Sequence, residues 1–365
     1  MSSCAFKFAP LSSASGPADE PMRLALVKLS ALGDVIHALP VARALRRAYP
    51  DAELSWLVEA REAAVLREHP DLDHVIPVDT RGWRRPHGAA GVGSFWSGLR
   101  DLRARLRARR FEVAVDVQGL LKSGVITRLT GAPIRVGFGA ARCKERLSAL
   151  FTNRHVIPPP GATHVVDQNL ALLGALGVAA GAPEFLIPPR PDAQRRMDEF
   201  LVEAGWKPGD RLVALNPGAG QPGKQWAPER FAAVGERLGA EAAARVLLLW
   251  GPAESHLARQ IALGMRGPGS AAARPLLAPP TDLDELTALL RRTHLMVAGD
   301  TGPLHLAAAL GTPALGLFGP TSAARNGPYG PRCRGLQSPD GTMGGLAPEA
   351  VLAAAVTLLE EGGPR

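Results

Sequence analysis

Residues 23–28, RLALVK, are followed across the loop LSALG (29–33) by DVIHALPVARALRR (34–47), and this junction decides the fold. The first run is apolar without alternation, as in a strand buried on both faces, while the second repeats its apolar positions at helical spacing. Strand, Gly-containing turn and helix make a β-turn-α opening. The pattern recurs: ELSWLV (53–58) leads to a helix from Ala60, HVIPV (74–78) to an Arg-rich helix around Leu99–Arg109, and Glu112–Val117 to a helix from Leu121. Alternating strands and helices imply a parallel sheet covered on both faces. The Pro-rich run around Phe185–Pro191 predicts a linker. Beyond it the alternation restarts with RLVALN (211–216), a helix from Pro228, ARVLLLW (244–250), helices from Ala253 and Leu283, HLMVAGD (294–300), a helix from Gly302 and PALGLFG (313–319).

The expected organisation is an N-terminal extension (1–21), a first domain (22–185), a linker (186–192), a second domain (193–345) and a C-terminal helix (346–365). Both domains read as doubly wound α/β sheets facing each other across a cleft, and ligands of such sheets sit beyond the carboxyl ends of the strands. The pairs Gly33-Asp34 and Gly299-Asp300 form a weak internal echo, each between a strand and a helix.

The 365 residues are 46% apolar and 21% charged, which excludes a disordered chain or a disulfide-stapled mini-domain. Lys and Arg outnumber Asp and Glu by 42 to 34, giving a net charge of +8 that suits phosphates, nucleic acid or anionic lipid. Only six of the 42 are Lys, so the Arg surplus is equally the mark of a GC-rich genome. Cys4, Cys143 and Cys333 are far apart and odd in number, with no metal-ligand spacing, which fits a reducing compartment. No apolar run reaches the roughly 18 residues of a membrane span. Lys7 interrupts the short apolar stretch near the start, so no signal peptide is expected, and Met22 is a candidate start.

Three loops carry the candidate chemistry. In LSALGDVIH (29–37), Gly33 is expected to allow a tight turn, and Asp34 is either a helix cap or a general base at a strand end. In NPGAGQPGKQW (216–226), the glycines let backbone approach an anion and Lys224 can meet a phosphate, although the loop is no P-loop, lacking Ser or Thr after the Lys. In GDTGPLH (299–305), a helix start offers N–H groups to a phosphate, with Asp300 and Thr301 as caps or ligands. Glu254, after the strand at 244–250, stands where acidic residues accept ribose hydroxyls, or serves the helix start. No metal-ligand cluster and no nucleophile–His–acid pattern stands out.

With these loops quoted, the sequence resembles the heptosyltransferases of lipopolysaccharide core synthesis, glycosyltransferase family 9. The carriers are VKLSALGDVIHALP (27–40), LNPGAGQPGKQW (215–226), WGPAE (250–254) and AGDTGPLHLAAALGTP (298–313), four motifs in order over nearly all of 22–320. RGWRRP (81–86), VDVQGLLKSGVITRL (115–129), CKERLSALFTNR (143–154) and HVVDQN (164–169) are similar to the branch that adds the first heptose. The resemblance implies an α/β chain of GT-B fold, two facing Rossmann-like domains with a cleft between them. It implies an ADP-heptose donor on the C-terminal domain and an acceptor, the Kdo sugar of Kdo-lipid A, on the N-terminal one. It makes Asp34 the base of an inverting displacement without cofactor or metal, with Lys224 stabilising the departing ADP. Gly218, Ala219, Gly220, Glu254, Asp300, Thr301, Gly302 and His305 would form the donor site. Lys28, Gly33, Arg81, Arg84, Arg85, Gln118, Lys122 and Lys144 would form the acceptor site. It further implies peripheral association with the cytoplasmic face of the inner membrane and no nucleic-acid partner. The sequence departs from the family pattern at Ala219 and Gly220, where relatives often carry hydroxyl residues, and at Arg146, where close relatives carry proline. Alternatives are a family 9 enzyme with another acceptor, such as the second heptosyltransferase, a sugar-nucleotide epimerase, or a nucleotide-binding regulatory module.

Overall fold

Strands buried on both faces need apolar residues at every position, and in RLALV, ELSWLVE and VAVD nearly every residue is sealed from solvent. The computed structural model describes residues 20–80, 88–265 and 274–361, with backbone alone for 88–95. Arg81, Arg84, Arg85, Cys4 and most of the expected N-terminal extension lie outside the described residues. The chain divides into two units between Pro188 and Pro189.

The first unit contains β1 (Arg23–Val27), β2 (Glu53–Glu59), β3 (His74–Val78), β4 (Val113–Asp116), β5 (Ile134–Phe138) and β6 (Arg154–Val156). All pair in parallel in the order β3-β2-β1-β4-β5-β6. Its helices are α1 (Leu32–Ile36), α2 (Leu39–Ala48), α3 (Gly88–Ala108), α4 (Leu121–Thr130) and α5 (Val165–Ala171). The helix expected from Ala60 is a 3-10 turn, Ala60–Leu66. Ala25, Val27 and Leu57 from the sheet pack with Leu102, Leu106 and Ile126 from the helices.

The second unit opens with α6 (Pro191–Glu203), so the Pro-rich run expected as linker ends inside a helix, Pro191 occupying a first-turn position where its missing N–H costs nothing. There follow β7 (Arg211–Asn216), α7 (Pro228–Ala242), β8 (Ala244–Leu248), α8 (Ser255–Gly264), β9 (Leu276–Leu277) and α9 (Leu283–Arg292). Next come β10 (Leu295–Gly299), α10 (Gly302–Ala309), β11 (Ala314–Phe318), α11 (Ala323–Asn326), β12 (Cys333–Gln337) and α12 (Pro348–Glu361). The sheet order is β12-β11-β10-β7-β8-β9, again parallel. Val351, Leu352 and Leu358 of α12 share a core with Val213, Phe231, Val297 and Leu317, so the C-terminal helix is built into this unit. No described helix is long and apolar enough to cross a membrane.

Counted within each unit, both sheets follow the order 3-2-1-4-5-6, whose direction reverses between the first and fourth strands. Those pairs are β1/β4 and β7/β10. The crevice outside their carboxyl ends is where doubly wound sheets hold ligands.

Candidate active site

Three of the four signature loops leave the sheets at these reversals, and the fourth, with Glu254, follows the neighbouring strand β8. In the first unit, Asp34 follows β1. Ala31, not Asp34, is the N-cap of α1, and Asp34 lies in the first turn, so the capping alternative fails. Gly33 is buried inside α1 and has no left-handed backbone, which corrects the expected turn role. Lys28, at the end of β1, has a side chain only 4% exposed; its ammonium lies 3.5 Å from Asp34 Oδ1 and donates to the Val117 carbonyl at 3.2 Å. The Asp34 side chain is 40% exposed. A buried cation thus faces an accessible carboxylate.

The loop after β4 holds this arrangement in place. Gln118, expected on the acceptor, has both amide atoms committed to the β1 loop: its Oε1 accepts from Leu29 N at 2.7 Å and its Nε2 donates to Ser30 O at 3.0 Å. It positions the backbone that leads to Asp34. Asp116 beneath it accepts from Gln118 N, Gly119 N and the Ser123 hydroxyl at 2.9–3.2 Å. Gly119 takes φ +67° so that its N–H can turn towards that carboxylate. Burial pushes the Asp116 carboxyl up, against the pull of those hydrogen bonds and of Lys28. Lys122 donates to Ser30 Oγ at 2.9 Å and lies 3.4 Å from Glu59, a buried acid at the end of β2 that also accepts from Thr80. Lys144 is exposed in the turn after β5. Asp116, Glu59 and Ser30 were not singled out from the sequence. The one signal of Asp116 and Glu59 is an acid at the end of a buried strand, and Ser30 has none.

In the second unit, Lys224, from the loop after β7, lies 2.7 Å from Asp300 Oδ2. Asp300, after β10, accepts on Oδ1 from His305 Nε2 at 3.1 Å, which places the imidazole proton on Nε2, since a carboxylate only accepts. Asn216 Nδ2 reaches Thr301 Oγ1 at 3.5 Å, tying the two loops together. Thr301 is the N-cap of α10 with no side-chain cap bond, and its hydroxyl donates to Gly299 O. The polarity of the first unit is inverted here: a carboxylate only 12% exposed holds a more accessible ammonium. Glu254 caps no N–H of α8 with its side chain. It accepts from Gly251 N at 3.0 Å and lies so close to Gly218 that a Cβ there would collide with its carboxylate. Ala219 is half-buried and Gly220 exposed with open space around it.

Burial acts to raise the Asp300 carboxyl, but the hydrogen bonds and charges of His305 and Lys224 prevail and hold it far below the usual carboxylate range. A carboxyl lowered in the folded state contributes stability above its unfolded value, about 3.9, and loses it as pH falls towards the folded one. Asp300→Asn is therefore expected to unfold at a lower temperature than wild type at neutral pH, with the gap closing on acidification below about pH 4. Thermal unfolding of both proteins across that range checks it. A gap that widens in acid contradicts the assignment.

The internal echo does not survive topology. Asp34 follows the first strand of its unit and Asp300 the fourth, so the counterpart of Asp34 is the Lys224 loop and that of Asp300 is the Gln118 loop. Among the described residues no group of three or more His, Cys, Asp or Glu could hold a metal.

Two Rossmann-like units, each with an ion pair at its strand-order reversal, have the GT-B architecture of nucleotide-sugar glycosyltransferases. Its sequence matches the profile of glycosyltransferase family 9 (heptosyltransferase) over residues 99–345, and the chain belongs to that family. Lipopolysaccharide heptosyltransferase 1 of Pseudomonas aeruginosa is 33% identical over 315 residues, spanning 85% of this chain and 82% of its own. The structure of Escherichia coli heptosyltransferase WaaC with ADP superposes with a TM-score of 0.73 at 27% identity, covering 94% of this chain and 100% of that one. The same enzyme with ADP-2-deoxy-2-fluoro heptose gives 0.71 at 28% identity and the same coverage.

Proposed function

We propose that the protein transfers L-glycero-D-manno-heptose from ADP-heptose to a Kdo residue of Kdo-lipid A in lipopolysaccharide inner-core synthesis, at the cytoplasmic face of the inner membrane. The observation that carries the reading is the pair of inverted ion pairs, Lys28–Asp34 and Lys224–Asp300, on the loops at the two strand-order reversals. The relatives named for lipopolysaccharide heptosyl transfer and the neighbours holding ADP and an ADP-heptose analogue support the donor and the pathway.

In this reading Asp34 takes the proton of the Kdo hydroxyl as its oxygen attacks the anomeric carbon. The bond from that carbon to the diphosphate breaks on the opposite face, and the configuration inverts. Lys28, 3.5 Å away, holds the carboxylate in place on the acceptor side. Lys224 and the N–H groups at the start of α10 meet the negative charge developing on the departing ADP, which is electrostatic stabilisation of the transition state. Glu254 takes the ribose hydroxyls, and Gly218 leaves room for it. Arg81, Arg84, Arg85, Lys122 and Lys144 provide cations for Kdo carboxylates and lipid A phosphates.

The test is incubation with ADP-heptose and O-deacylated Kdo-lipid A in the presence of EDTA, with product sought by mass spectrometry. A product heavier by one heptose is expected. ADP-heptose binding without product would move the acceptor elsewhere in the pathway, and no ADP-heptose binding would remove the donor assignment.

A further inference from the structure

Besides Lys144, the turn after β5 carries residues that the site does not use. Arg146–Phe151 form a 3-10 helix, in which side chains three apart eclipse one another. Ser148 and Phe151 share one edge, and α4 packs on it: a Cβ on Gly124 would fall 2.8 Å from Phe151 Cδ2 and 3.0 Å from Ser148 O. Leu147 and Leu150 share another edge and are 61% and 77% exposed. Ile157, just beyond β6, is 70% exposed and lies against Gly139, whose carbonyl also accepts from Arg142 N at the start of the same turn. Single exposed leucines are ordinary on a protein surface. Three large aliphatic side chains around one turn are not.

Cations surround them. Arg142, Lys144 and Arg146 are all exposed, and Glu145, the acid among them, accepts from Leu121 N at 2.5 Å. A second copy of this face would set like charges against one another in a two-fold contact. An anionic lipid surface satisfies both halves of the patch, with aliphatic groups entering the headgroup–acyl boundary and cations on the headgroups. The patch also adjoins the acceptor side, for Leu121 precedes Lys122, which bonds Ser30 in the Asp34 loop.

We propose that Leu147, Leu150 and Ile157, flanked by Arg142, Lys144 and Arg146, dock the first unit onto an anionic phospholipid bilayer and so bring the Asp34 loop to a lipid-borne acceptor. The consequence for the acceptor rests on the function proposed above, whereas the docking does not.

The test is co-sedimentation of the full chain with acceptor-free phosphatidylcholine vesicles, with and without phosphatidylglycerol. Wild type is expected to bind the anionic vesicles and to bind the neutral ones more weakly. Leu150→Ser should weaken binding by about tenfold, and the Leu147→Ser/Leu150→Ser pair by about tenfold again. Both variants should keep wild-type turnover on O-deacylated acceptor and lose it on acceptor embedded in vesicles. No binding by wild type, or unchanged binding by the pair, overturns the proposal. So does a wild-type dimer in ultracentrifugation that the pair converts to monomer, since the occupant is then a second copy. Vesicle binding without turnover on the soluble acceptor upholds the docking and counts against the function alone.

Discussion

Replacing Asp34 with Asn lowers kcat by about two to four orders of magnitude and leaves the affinity for ADP as it was. The expectation follows from what the substitution changes. Asn keeps the size of Asp but cannot accept the proton, so the loss falls on the transition state and not on bound substrates. ADP affinity is expected to stay because the proposed donor groups lie in the second unit, on Lys224, Glu254 and the start of α10. The surroundings of Asp34 also survive, for Gln118 still clamps Leu29 and Ser30, and Lys28 still donates to Val117. Single-turnover rates with ADP-heptose, ADP titration by calorimetry and the melting temperature separate the three contributions. A variant that turns over within about twofold of wild type removes Asp34 from the proton transfer.

Lys224→Met is expected to lower kcat by about a hundredfold to a thousandfold, the size of effect that loss of one preorganised donor to a developing anion produces. Here ADP affinity is expected to fall as well, because in the proposed reaction the same ammonium meets the diphosphate before and after the bond breaks. That split distinguishes the two variants: one loses rate alone, the other rate and nucleotide together. The His305–Asp300 bond remains in Lys224→Met and keeps the carboxylate partnered, so the unit stays folded. Unchanged ADP binding with full turnover would leave Lys224 as a structural partner of Asp300 only.

Much of the fold was legible because buried parallel strands announce themselves. RLALV, RLVALN and LMVAG are nearly continuous apolar runs with a helix signature after each. The strands that escaped notice carry a weaker signal. β12, CRGLQ, is largely open to solvent and carries Arg and Gln, β9 is two residues long and β6 three, and β5, IRVGF, is interrupted by Arg and Gly. Ala60–Leu66 has helical apolar spacing yet closes only as 3-10 turns, a difference that local spacing does not encode. In the site, Asp34, Lys224 and Asp300 stood out because each sits beside glycines at a strand end. The work of Gln118 did not, since its partners Leu29 and Ser30 are 89 and 88 residues away and meet it only through the pairing of β1 with β4. Asp116 and Glu59 were hidden for the same reason: an acid at a strand end becomes informative only when the neighbouring strand is known.

The inverted ion pairs bear on how such an enzyme can diversify. In each unit the residue that sets the charge is sealed in, Lys28 in one and Asp300 in the other, and tolerates little change without leaving a lone charge in the interior. Ala219 is half-buried and Gly220 exposed with open space around it, and neither has an ion to hold. Under the proposed function, substitutions there alter which sugar nucleotide is preferred while the charged pairs stay intact. Selection would then act on donor choice and on bond breaking through separate residues, and new specificities would be reachable by single steps that keep the reaction running.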